Sequence, residues 1–255
     1  MVYNIYRKAN NCNGDDLLDI HINTDYRHIS PYVIMVLAAF GAGITLQHIL
    51  NVKRGIKRRI SGLLILLEPM MSLFFALLLT YIASGGKAIG LYSVGGAFGM
   101  YMSVLTMALI TQDRGQGKVM FENCTLVMPL MYGISKTGCF MAGCCHGIDY
   151  NGPLCVEYSG RVTQTGCVFP VQLAETAVFL LIFAIGMIKA RKNAGAAVLT
   201  VILSSALAKG LLDFLRASHS GRTVSLNQLF CGAMIIVCVA VALWLGRKSN
   251  TEKDK

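Results

Sequence analysis

From Lys136 to Gly147 the chain reads KTGCFMAGCCHG, which brings a cation, three cysteines, a histidine and three glycines into one short stretch. Thiols react and ligate as thiolates, and a nearby cation such as Lys136 favours that form. Three kinds of chemistry fit. Cys139 or Cys144 can act as a nucleophile that accepts a group transiently. Cys139, Cys144, Cys145 and His146 are soft metal ligands, which Cys155 and Cys167 would complete. In an oxidising compartment the same residues instead form disulfides, Cys155 with Cys167 or either with Cys144 or Cys145. The spacing matches no recognised zinc pattern. On a continuing helix, Cys144 and Cys145 project about 100° apart, which makes joint ligation awkward. The reading therefore expects no metal and no cofactor, with the cysteines cross-linked or buried.

Other polar residues interrupt apolar surroundings. Gly95 and Gly96 form one pair and Gln172 and Glu175 another. Lys209, Asp213 and Arg216 are spaced i, i+4, i+7, which predicts one helix face. Ionisable groups inside apolar segments are costly unless they face protein, water or a ligand, so they are site candidates by default. Lys136, Lys209 and Arg216 against Glu175 and Asp213 leave one positive charge over, which an anionic phosphate can neutralise. The planar fork of Arg suits two phosphate oxygens, and a phospholipid headgroup is the natural ligand. The same groups also read as salt bridges that fix helix packing. Both readings stand at this point.

The elements that position these residues follow from composition. Of 255 residues, 55% are apolar and 14% charged. Apolar runs of about twenty residues, the length that crosses ~30 Å of hydrocarbon, recur along the chain. They predict an all-α polytopic membrane protein with seven transmembrane helices at 31–50, 61–84, 90–112, 122–145, 170–190, 195–216 and 225–246. Residues 31–246 form the membrane domain, with a small outer head at 146–169. A polar arm (1–30) precedes it and a basic tail (247–255) follows. The arm has no apolar core before a small-residue cleavage site, so no removable signal peptide is expected.

Lysines and arginines concentrate in 51–60, 113–121, 189–194 and the tail, which predicts those loops as cytoplasmic, the N-terminus as outside and the C-terminus as inside. The net charge of +10 then faces anionic headgroups and calls for no nucleic acid. In this topology the cysteine stretch, Gly95 and Gly96, Gln172 and Glu175, and Lys209 to Arg216 all lie near the outer leaflet. Glu68, beside Pro69 in the inner half of the second span, reads as a satisfied carboxyl at a kink or as a proton relay.

The segment GISKTGCFMAGCCHG resembles the signature of bacterial prolipoprotein diacylglyceryl transferases, and FPVQLAE is similar to their Pro-x-Gln-Leu-x-Glu segment. KGLLDFLRASHSGRTVSLNQL resembles the family's stretch of a basic residue, an acidic residue, Phe-x-Arg and a later Gln-Leu, where Gln228 stands. SVGGAFG is similar to its His-Gly-Gly segment. The resemblance spans roughly residues 31–246. It implies transfer of a diacylglyceryl group from phosphatidylglycerol, or another anionic phospholipid, to the lipobox cysteine of a lipoprotein precursor, with release of glycerol phosphate. The setting it implies is multi-pass in the bacterial cell membrane among membrane lipids, with no metal or soluble cofactor.

By position, Lys136 stands at the family's signature Arg and Arg216 at its later Arg, and both would hold phosphate. Gly138, Gly143 and Gly147 keep their places and would permit close helix contact. Three positions depart from the family: Val94 stands at the family's His, Cys139 at its Asn and Cys144 at its acidic residue. His146 or Glu175 is then the available base. The rival expectation is a non-catalytic or transport-type membrane protein that keeps the scaffold with a Cys-rich outer site.

Overall fold

The computed structural model describes residues 20–25, 30–87, 90–160, 166–217, and 228, 229, 231, 232, 235 and 236. Six helices carry most of these residues: α1 Pro31–Lys53, α2 Arg58–Ala83, α3 Ser93–Thr111, α4 Arg114–Ala142, α5 Val171–Ala190 and α6 Ala194–Asp213. Two short strands, β1 Ile20–Asn23 and β2 Val156–Ser159, complete the order. Five of the helices, α1, α2, α3, α5 and α6, are long and apolar enough to cross a membrane. The chain is thus a helical membrane protein. Leu37, Leu66 and Met70 each expose two thirds or more of their surface, which suits lipid rather than water.

The seventh expected span, 225–246, lies outside the described residues except for 228, 229, 231, 232, 235 and 236, which are helical. The tail 247–255 and most of the arm 1–30 also lie outside them.

α4 differs most from the expected 122–145. It starts at Arg114, because the Asp113 side chain accepts from the backbone N–H groups of Gly115 (2.9 Å) and Gln116 (3.1 Å) and satisfies the first turn. The Gln116 hydrogen bonds hold the Asp113 carboxyl below the usual carboxylate range. The helix stops at Ala142, because Gly143 turns into the left-handed region at φ 72° and caps it. The Cys144 N–H reaches back to the Cys139 carbonyl at 3.2 Å. α6 likewise ends at Asp213 rather than at 216, so Arg216 lies beyond the helix that the i, i+4, i+7 spacing assumed.

The chain divides into two compact units. The first comprises Met1–Ala38, Tyr132–Ile182 and Ile202–Lys255. Its head is a parallel pair in which Ile20 faces Val156 and Asn23 faces Ser159. Ile22, Val156, Tyr158 and Val168 form the core under it, and Cys155 bonds to Cys167. Part of the expected polar arm is therefore a strand of the head. Its four residues of apolar alternation are too few for a strand signal.

The second unit comprises Ala39–Met131 and Phe183–Val201. Here α3 lies directly on α2, since a Cβ at Gly95 would sit 2.4 Å from the Phe75 carbonyl oxygen and one at Gly99 2.3 Å from that of Met71. Gly96 faces Ser72 in the same contact.

Candidate functional site

The first unit gathers its ionisable groups around one carboxylate. Glu175, one turn into α5, is fully buried. Its Oε2 pairs with Lys136 Nζ at 2.9 Å and its Oε1 with Arg216 Nη2 at 2.6 Å. The Tyr132 hydroxyl donates to the same Oε1 at 2.8 Å and accepts from Lys209 Nζ at 2.8 Å. Lys209 and Lys136 also lie over the Tyr132 ring, 4.6 and 5.1 Å from its centre. Arg216 completes the group through Asp213 Oδ1 at 3.8 Å from its Nε. Five predicted residues therefore converge, and they carry the expected surplus of one positive charge.

Backbone bridging, rather than a helix face, brings Arg216 there. Gly147 pairs antiparallel with Arg216. The Ile148 N–H donates to the Leu215 carbonyl and the Ala217 N–H to that of His146. A Cβ at Gly147 would lie 2.4 Å from the Phe169 carbonyl oxygen and 3.0 Å from that of Leu215, so only glycine fits. Gly138 is equally tight against α1, where a Cβ would lie 2.6 Å from the Met35 Cβ.

The thiols converge at the end of α4. The sulfurs of Cys139, Cys144 and Cys145 all lie within 4.8 Å of one another. Cys139 is buried, Cys144 half-buried and Cys145 exposed. Hydrogen bonds from the Cys139 and Cys144 thiols, followed by the charges of Lys136 and Arg216, hold the Cys145 thiol well below its ordinary range. Joint ligation is awkward only on a continuing helix, and α4 has already ended at Ala142.

Gln172, fully buried, donates to the Cys144 carbonyl at 2.9 Å and to the Tyr158 hydroxyl at 3.4 Å. Burial raises the pKa of Tyr158. Gln172 Oε1 and Arg216 Nε have no hydrogen-bond partner among the described residues. His146 Nδ1 lies 3.2 Å from the Gly147 carbonyl oxygen. A carbonyl only accepts, so this contact favours the tautomer with the proton on Nδ1, in which Nε2 is the acceptor.

Gln228 is helical and half-buried. Gly95 and Gly96 pack α3 on α2 in the second unit. Tyr132 is the residue the sequence reading overlooked. It stands one turn before Lys136 on the same face of α4, and that i, i+4 relation was the available signal.

The second unit has a buried polar cluster of its own. Arg54 donates to Glu122 Oε2 (2.5 Å) and Asn123 Oδ1 (2.9 Å), and Asn123 donates to Asn51. Gln47 donates to Glu68 Oε1 at 2.5 Å, which satisfies one oxygen of that carboxyl, while Glu68 Oε2 has no hydrogen-bond partner among the described residues.

Comparison with curated proteins finds no match. A family model for prolipoprotein diacylglyceryl transferase matches residues 20–244, a range that includes both the converged charges and the thiols. The chain belongs to the prolipoprotein diacylglyceryl transferase family.

Proposed function

We propose that this transferase holds the phosphate of an anionic phospholipid, phosphatidylglycerol foremost, on Lys136, Lys209 and Arg216 at the outer leaflet of the bacterial cell membrane. The seven-span topology, with the N-terminus outside and the C-terminus in the cytoplasm, accompanies this reading and is supported by the placement of Lys and Arg in the loops. The observation that carries the reading is the surplus positive charge around Glu175. Three cations meet two carboxylates in a buried setting, and a phosphate makes up the deficit. Arg216 Nε, buried and without a hydrogen-bond partner among the described residues, is the donor left for a phosphate oxygen.

Glu175 then positions rather than reacts. Both its oxygens are engaged by cations, which makes it a poor proton acceptor. Tyr132 ties Lys209 to the same carboxylate and keeps the ammonium beside the guanidinium. His146, with Nε2 left as acceptor, takes the proton from the lipobox thiol of the precursor. The thiolate sulfur attacks the glyceryl carbon that bears the phosphate ester. A carbon–sulfur bond forms, the carbon–oxygen bond to phosphate breaks, and glycerol phosphate leaves with the electron pair. The cations stabilise the charge that builds on the leaving phosphate, which is worth most in a site shielded from water.

Expression in a bacterium depleted of its own transferase tests this reading. The intact chain restores lipoprotein maturation, and Arg216→Ala, at equal abundance in the membrane, does not. Growth restored equally by both would refute the phosphate-holding role.

A further inference from the structure

We propose that Cys139, Cys144 and Cys145 form a three-thiolate site for a soft divalent ion, Zn²⁺, with the fourth position open to the acceptor thiol. The last clause rests on the transferase reading given above. The metal site itself does not.

Geometry is the first ground. The three sulfurs lie within 4.8 Å of one another, and tetrahedral zinc, with Zn–S near 2.3 Å, places sulfurs ~3.8 Å apart. A closure of about an ångström forms the site. The second ground is the backbone. Cys145 holds φ 57° and Gly143 φ 72°. A non-glycine residue in that region is uncommon and carries strain, which persists where the surroundings or a function demand it. This turn is what brings two adjacent cysteines back over Cys139. Gln172 clamps it by donating to the Cys144 carbonyl, the kind of outer support that metal sites show.

Charge is the third ground. Zn²⁺ cancels two of the three thiolate charges, so the cluster draws far less on the cations around Glu175 than three bare thiolates would and leaves them to the phosphate. Oxidation state is the fourth. Cys155 and Cys167 of the same unit are joined, a bond that persists in oxidising surroundings, yet the three clustered thiols are free. A bound soft ion keeps such thiols from oxidising. The joined pair is also removed from the ligand set that the sequence suggested.

Three protein ligands with an open position are the pattern of catalytic rather than structural zinc. Exposed Cys145 marks the side from which ion and acceptor arrive. An acceptor thiol that binds there gives up its proton to His146 or to water and stays nucleophilic as the metal thiolate.

Co²⁺ titration of the reduced, metal-stripped full-length protein in detergent supplies the test. One Co²⁺ per chain is expected, with a sulfur-to-cobalt charge-transfer band that Zn²⁺ displaces. Cys145→Ser and Cys144→Ser, at the two less buried positions, lose the band, whereas Cys124→Ser keeps it. A lipobox peptide shifts the cobalt spectrum, and the same peptide with Ser for Cys does not. No band, a band indifferent to Cys144 and Cys145, or a disulfide within the trio in the protein as isolated would overturn the metal site. A band that the peptide leaves unchanged would overturn the acceptor position. None of these readouts requires transfer, so a protein that binds Co²⁺ but fails to support lipoprotein maturation would refute only the transferase reading.

Discussion

Arg54 in the second unit and Arg216 in the first are both drawn toward buried carboxylates, but their surroundings differ. Arg54 meets Glu122 and Asn123, Asn123 passes a hydrogen bond to Asn51, and Asn51 one to Ser61. Arg54 and, from a solvent-exposed position 4.0 Å away, Lys118 face Glu122 there, and amides and a hydroxyl take up the remaining donors. Around Arg216, two further cations share Glu175 and Asp213, and Gln172 Oε1 and Arg216 Nε remain without hydrogen-bond partners among the described residues. A polar group buried in an apolar helix is thus not in itself a sign of function. Gln47 Oε1 and Glu68 Oε2 of the second unit also lack hydrogen-bond partners among the described residues, so unspent buried charge is what distinguishes a cluster that waits for a ligand from one that ties helices together.

The largest effect should come from the carboxylate that the cations share. Glu175→Ala leaves Lys136 and Arg216 buried without it, a loss of about 3–5 kcal/mol. Thermal unfolding in detergent should register it, together with loss of transfer. Arg216→Lys keeps the charge but not the fork. Turnover should fall by about tenfold or more, equivalent to ~1.4 kcal/mol of barrier, while the melting temperature changes little.

In the second unit the order reverses. Arg54→Ala removes the partner of Glu122 and should cost about 1–3 kcal/mol of stability, yet turnover per folded molecule should stay unchanged. Glu68→Gln should do least. The new amide oxygen still accepts from Gln47, so stability should stay within about 1 kcal/mol and transfer within error. A Glu68→Gln protein that folds but fails to transfer would break the distinction between the two clusters.

Much of the first cluster was legible because charge inside apolar runs is conspicuous. Lys136, Glu175, Lys209, Asp213 and Arg216 stood out for that reason, and they do meet. Tyr132 did not stand out, since a tyrosine in an apolar helix reads as packing until its hydroxyl is seen between Lys209 and Glu175. The helix ends were the weakest part of the reading. Extending α4 to 145 and α6 to 216 put Arg216 on a helix face and splayed Cys144 from Cys145. A glycine marks a possible helix end without deciding it, and here Gly143 at positive φ decided it. The joined Cys155 and Cys167 were one of several pairings the spacing allowed. Strand β1 was too short to announce itself, and its partner lies more than a hundred residues along the chain.

The central claim is that the surplus positive charge in the first unit holds the phosphate of the lipid donor. The most direct measurement is transfer of a labelled diacylglyceryl group from phosphatidylglycerol to a lipobox peptide by the purified protein in lipid vesicles, with Arg216→Ala and Glu68→Gln run alongside. The account predicts thioether product from the intact chain and from Glu68→Gln and none above background from Arg216→Ala. Equal product from Arg216→Ala and the intact chain, or no product from the intact chain, would contradict it.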